Sequence, residues 1–238
     1  MAINKEQVME RAKEMLNSLC LDYGFGPALV SGDPCDFRDF ANDAPSWFRW
    51  NYGASRVVFW DDRDCSFVIK IPRDGEDDVQ YSRAEQETYA EARNRGIEQY
   101  FAWTDKLFDY EVPDENKTIP IYAMEFAKCQ SYDDPSDIFY EYYCKKYHLD
   151  SNDKEVKDSY WDSYDTEDGG TSEMLDYAES IWGEEARLEV GELIDDFGIG
   201  DLHYGNWGFC DGRLVIVDYA GYGKQCGLDY YNKNRVPA

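Results

Sequence analysis

The chain has 238 residues, 43% hydrophobic and 16% aromatic, so it carries enough apolar material for a sizeable core and too many aromatics for disorder throughout. Acidic residues outnumber basic ones by 50 to 24, for a formal net charge of −26. That balance excludes nucleic-acid binding through a general basic surface and docking on an anionic membrane, both of which need clustered Lys and Arg. The length suits one large domain or two small lobes. No stretch approaches the roughly 18–20 apolar residues of a membrane span. The segment Met1–Asn17 is charged and amphipathic and lacks the apolar centre of a secretory signal. Seven scattered cysteines, with no C-x-x-C pair and no zinc-like spacing, read as reduced thiols of a cytoplasmic protein.

In chain order, residues 5–19 set Val8, Ala12, Met15, Leu16 and Leu19 at helical spacing. Gly24, Gly26, Pro27, Gly32 and Pro34 break that pattern, and the aromatic stretch Cys35–Trp50 shows no regular period, so 1–47 reads as a helical and irregular extension. Arg56–Trp60 and Ser66–Ile71 are β-rich runs around a polar turn, Asp61–Asp64, and the hairpin ends at Pro72. A helix is expected over about Val79–Arg95, stopped by Gly96. Leu107–Val112 and Ile119–Phe126 are strand-like, with a polar connection at Pro113–Thr118.

Residues 131–186 hold 17 acidic and 4 basic residues, about half of the net charge, together with many tyrosines. This stretch reads mostly as solvated helix and loop, with Ser172–Trp182 its best helical piece and Asp165–Thr171 a link. It is either an acidic surface insertion or a docking surface for a basic partner. Helical spacing returns at Glu184–Phe197, where Ala186, Val190, Leu193, Ile194 and Phe197 share a face and Gly198 ends it. Two short strands, Trp207–Cys210 and Leu214–Val217, flank an Asp211-Gly212 turn.

The residues with chemistry to offer cluster at 199–221. Asp201 is followed five residues later by Asn206, and after a strand by Asp218. The hairpin between them is expected to bring Asp218 near Asn206. A carboxylate and an amide oxygen there form a hard-oxygen site of the kind that suits Mg²⁺. Asp201, at the start of the loop, is placed to orient an attacking hydroxyl or accept its proton. Upstream, Phe67-Val68-Ile69-Lys70-Ile71 puts Lys70 among apolar residues, where an unpaired ammonium is costly. It therefore needs a carboxylate. Glu85 aligns with Tyr89, Ala92 and Gly96 on the more apolar stripe of the next helix and is the expected partner, whereas Glu87 and Glu91 read as solvated. The turn Asn51–Arg56 offers backbone N–H groups near Gly53 and the Ser55 hydroxyl to a phosphate.

The run G-D-L-H-Y-G-N followed by V-I-V-D-Y-A-G resembles the catalytic and metal-binding loops of the protein kinase-like fold. Its wording is closest to aminoglycoside and choline kinase-like phosphotransferases and to small phage-encoded serine/threonine kinases. The resemblance spans about 48–128 and 184–223. It implies an α+β, protein kinase-like two-lobed fold: a small antiparallel-sheet N-lobe over 48–127 and a reduced, mainly helical C-lobe over 128–238, with the acidic Tyr-rich insert at about 131–183. The implied activity is ATP- and Mg²⁺-dependent phosphoryl transfer to protein Ser/Thr hydroxyls. The alternatives are a small-molecule, aminoglycoside-like kinase and a pseudokinase or acidic binding module that sequesters a basic partner.

Carried over by motif, the catalytic set is Asp201, Lys70 and Glu85, and the metal set is Asn206 and Asp218. The nucleotide set is Gly53, Ser55, Lys70, Met124, Glu125 and Ala127, with Met124 behind the adenine pocket and backbone groups of Glu125 and Ala127 bonding adenine. His203 is expected to brace the catalytic loop. The partners implied are ATP and a basic protein, with neither nucleic acid nor membrane, in the host cytoplasm if the chain is phage-encoded. Ile199 stands where the family has histidine, the phosphate turn carries one glycine, and 17 residues follow Gly221 without an A-P-E motif, which is why the C-lobe is expected to be reduced.

Overall fold

The computed structural model describes residues 4–52, 56–73, 76–129, 138–164, 171–200 and 202–220. The chain divides into two units, Met1–Tyr89 with Trp103–Phe126 and Ala90–Ala102 with Ala127–Ala238. Residues 1–47 thus belong to the same unit as the strands that follow them.

In the first unit, the Asn4 side chain accepts from the N–H groups of Glu6 and Gln7 and opens helix α1, Lys5–Tyr23. The helix outruns its apolar stripe and ends where Gly24 takes a left-handed conformation. The glycines and prolines that follow do not make an irregular stretch. Pro27 and Pro34 sit in the first turns of two short helices, α2 (Gly26–Ser31) and α3 (Pro34–Ala41), where a missing N–H costs nothing. Strand β1, Phe48–Tyr52, completes the correction to the unplaced stretch Cys35–Trp50. Then come β2 (Arg56–Asp61), β3 (Phe67–Pro72), α4 (Glu76–Arg95), β4 (Thr104–Val112) and β5 (Lys117–Glu125).

These strands form one antiparallel sheet in the order β1-β2-β3-β5-β4. Alternation gives it two unlike faces. Val57, Phe59, Ile69, Ile71, Ile121 and Ala123 join the buried residues of α1 to α3 in a single apolar core. At its centre Phe25 meets the rings of Phe37, Phe40, Phe48 and Phe59 at centroid distances of 4.5–5.6 Å. Gly32 is required there: its φ is +65°, and a Cβ would lie 2.5 Å from the Arg73 carbonyl oxygen. The other face carries Arg56, Val58, Lys70 and Tyr122, which the register aligns across β2, β3 and β5.

In the second unit β6 (Lys128–Cys129) is followed by α5 (Ile138–Tyr147), α6 (Lys154–Tyr164), α7 (Thr171–Trp182) and α8 (Glu184–Phe197). Strands β7 (Trp207–Cys210) and β8 (Arg213–Ile216) then form a small antiparallel sheet in the order β6-β7-β8. The described residues of the acidic stretch are mostly exposed helix, as expected, but the helices share a buried aromatic minority. Tyr160 packs on Tyr140 and Tyr143 at 5.1 and 4.9 Å, and Tyr177 on Phe139 and Tyr142 at 5.0 and 5.1 Å. Phe139, Tyr140, Cys144, Tyr160, Met174 and Ala178 are buried. The carboxylates stay outside while the tyrosine rings form the helix contacts. The expected link at 165–170 lies outside the described residues. Among the described residues, no helix is long and apolar enough to cross a membrane.

Candidate functional site

Lys70 is held on β3 opposite Val58 of β2 and Tyr122 of β5, on the sheet face opposite the phenylalanine core. Glu85 reaches it from α4, the helix that follows β3, as the apolar stripe predicts. Lys70 Nζ donates to both Glu85 oxygens, at 2.8 and 2.9 Å, and lies 3.6 Å from Met124 Sδ. The pair is removed from water, with Lys70 5% and Glu85 0% exposed. A buried pair of this kind survives only with close, well-directed bonds. Glu87 is exposed and Glu91 pairs with Arg95 at 2.9 Å, so neither competes.

The sequence reading missed Arg56. It opens β2 opposite Pro72 and places Nη1 2.8 Å from Glu85 Oε2, with its own side chain 6% exposed. Its guanidinium also lies 6.0 Å from the centroid of Tyr81, one turn before Glu85 on α4. A signal was present: in Arg-Val-Val-Phe, alternation puts Arg56 on the face opposite Val57 and Phe59, the same face as Lys70.

At the end of β5, Met124 is buried and registers with Val68. The N–H of Glu125 donates to the Trp103 carbonyl at 2.8 Å, and the Glu125 carboxylate accepts from Trp103 N–H at 3.3 Å. The Glu125 N–H is therefore committed within the protein, which narrows the expected adenine contacts. Ala127, in the second unit, packs so close to Gly208 that a Cβ there would stand 2.9 Å from the Ala127 Cβ.

The second unit presents the loop before β7. His203 holds it from two sides: its carbonyl accepts from Asn206 N–H at 2.8 Å, and its Nδ1 accepts from Gly205 N–H at 3.1 Å. This is the bracing role expected of it. The Asn206 carbonyl in turn accepts from Val217 N–H at 2.9 Å, which extends the β7–β8 ladder by one pair and brings the residue before Asp218 against Asn206. Tyr219 fixes the far side: it is fully buried, bonds the Ala102 carbonyl through its hydroxyl, and packs on Phe101 at 5.2 Å.

An amide and a carboxylate, the groups of Asn206 and Asp218, offer oxygen ligands of the kind a small hard cation takes. Among the described residues no group of three or more His, Cys, Asp or Glu converges as a metal cage. A cation held here would take its remaining ligands from phosphate and water, as Mg²⁺ does. Asp201, Gly53 and Ser55 lie outside the described residues. No family model matches the chain, nor does any curated protein or solved structure.

Proposed function

We propose that the chain is an ATP- and Mg²⁺-dependent phosphotransferase of protein kinase-like, two-lobed organisation, acting on a hydroxyl acceptor. The observation that carries this reading is the buried Lys70–Glu85 pair, with lysine on the third strand and glutamate on the following helix. That is where phosphotransferases of this kind hold the lysine that serves the nucleotide phosphates. The braced loop His203–Asn206, joined through Val217 to Asp218, supports the reading independently.

In this mechanism Lys70 donates to phosphate oxygens, and Glu85 keeps its ammonium directed. Gly53 and Ser55 cover the phosphates. Met124 limits the depth of the adenine pocket, and backbone groups at Glu125 and Ala127 bond its edge. Asn206 and Asp218 would hold Mg²⁺, which when bound supplies neutralising charge to the phosphates. Asp201 orients the acceptor hydroxyl and takes its proton as the oxygen bonds to the γ-phosphorus and the bond to the β-phosphate oxygen breaks. Little covalent chemistry falls to the protein, so its contribution is positioning and electrostatics. The net charge of −26 favours a basic acceptor, and a protein Ser/Thr segment rich in Lys and Arg is the substrate class proposed.

The test is thermal unfolding with and without Mg-ATP, beside Asp218→Ala. Ligand at about 100 times its Kd adds about 2.7 kcal/mol to the folded state. For a chain of this size that is a rise of about 5–10 °C in Tm. A metal-dependent rise that Asp218→Ala abolishes supports the proposal, and transfer of labelled γ-phosphate that stops in Asp201→Asn completes it. No rise in the wild type overturns it.

A further inference from the structure

We propose that Arg56 is the positioning residue of the phosphate-binding lysine: it retains Glu85 so that Lys70 can turn its ammonium towards a nucleotide. The inference rests on the phosphotransferase reading above and extends it to a residue that the kinase-like motifs do not supply.

The argument starts from the donors of Lys70. Its ammonium has three N–H groups. Two reach the oxygens of Glu85, and Met124 sulfur, a weak acceptor, lies 3.6 Å away. With three donors, Lys70 can serve oxygens of two phosphates only by giving up one of its two bonds to Glu85. A carboxylate as buried as Glu85 cannot be left without a cation cheaply.

Arg56 meets that need. Its Nη1 lies 2.8 Å from Glu85 Oε2 on its own account, independent of the Lys70 contact, and a guanidinium does not lose its proton at any ordinary pH. It is also kept from following Lys70, because its guanidinium spans two successive turns of α4, Glu85 on one and the Tyr81 ring on the other. Arg56 and Lys70 are diagonal neighbours on one sheet face, facing Pro72 and Val58 respectively, so one carboxylate lies within reach of both. Arg56 therefore acts through Glu85 and Lys70, without touching the nucleotide.

The test is a titration of the full-length chain with Mg-ATP and, separately, with adenosine, which has no phosphate for Lys70 to hold. It uses wild type, Arg56→Met, Arg56→Lys, Lys70→Met and the double variant Arg56→Met/Lys70→Met. Arg56→Met is expected to weaken Mg-ATP binding about 10- to 100-fold, a loss on the scale of one buried charge–charge contact, and to leave adenosine binding unchanged. Arg56→Lys, which returns a cation to Glu85, should recover part of that loss. The double variant should bind Mg-ATP no more weakly than Lys70→Met alone, because the two residues form one chain of action.

Additive losses in the double variant would overturn the proposal, as would an equal loss of adenosine affinity, which marks a purely structural role. Unchanged Mg-ATP affinity in Arg56→Met overturns this inference alone. A wild type that binds neither ligand overturns the phosphotransferase reading and this inference with it. Arg56→Gln, neutral but able to hydrogen-bond, carries the same comparison if Arg56→Met does not fold.

Discussion

The two faces of the five-stranded sheet are built from the same strands by alternate residues, yet they are held by different physics. On one, α1 to α3 and the link between the first two lay Leu16, Leu19, Phe25, Leu29 and Phe37 over Val57, Phe59, Ile69 and Ile71, and the contact is apolar apart from occasional hydroxyl and thiol groups. On the other, Arg56 and Lys70 share the carboxylate of Glu85. Dry packing tolerates little change of volume but asks nothing of charge. An ionic cluster out of water is costly to assemble and is weak support for stability, so its presence calls for a purpose. On the phosphotransferase proposal, the difference separates the face that keeps the unit folded from the face that meets the nucleotide.

Truncation on either face is expected to be severe, for opposite reasons. Glu85→Ala strands Arg56 and Lys70 without their shared carboxylate and should cost about 3–5 kcal/mol in urea unfolding. Phe25→Ala opens a cavity among four rings and should cost about 3–5 kcal/mol by the same measurement. The faces part company when the whole cluster is replaced. The variant Arg56→Met/Lys70→Met/Glu85→Leu should be as stable as wild type or more so, and should show no rise in Tm with Mg-ATP. Large destabilisation of that triple variant would mean that the ionic face holds the fold after all.

Alkaline pH should act on the apolar face through two of its groups. Burial raises the Cys20 thiol above its ordinary 9.0 and the Tyr110 phenol above 10.0, and the thiol lies close enough to the phenol to add to the rise at Tyr110. Both are neutral when protonated, so the folded state holds these protons after the unfolded chain has released them. Their contribution is intact below about pH 9 and is lost as pH climbs towards the folded values. Tm should therefore fall between about pH 9 and 11, and Tyr110→Phe should shallow that fall. An identical pH profile in the variant removes Tyr110 from the account. The smallest effect is expected at the margin of the same face, where Asn4→Ala removes the α1 cap and should cost about 1 kcal/mol, read as a small drop in the urea midpoint.

What the sequence made legible followed periodicity. The paired runs of β2 and β3, the stripe of α8 and the choice of Glu85 over Glu87 all rest on repeats of 2 or 3.6 residues, which survive without tertiary information. Helices α2 and α3 were illegible because six and eight residues are too few to show a period. Their glycines and prolines read as interruptions until packing assigned them to helix ends. In the acidic stretch α7 was legible, whereas the bounds and contacts of α5 and α6 were hidden for another reason. Their contacts are made by Tyr140, Tyr142, Tyr143, Tyr160 and Tyr177, and a tyrosine is apolar or polar according to what its ring meets. Arg56 looked like the polar end of a loop because its partner on α4 is 29 residues away in sequence.

The pad of N-terminal helices also constrains the order of events during folding. Tyr110 donates to Asn17 across a separation of 93 residues, and Lys5 bonds Asp105 across 100. A ribosome delivers α1 long before β4 and β5 exist to cover it, so its apolar stripe stays uncovered for much of synthesis. Closing a loop that long demands entropy before any contact repays it, and topologies dominated by such contacts fold slowly. The β4–β5 hairpin is local and can form at once, whereas α1 can complete its contacts only after β4 and β5 have followed it.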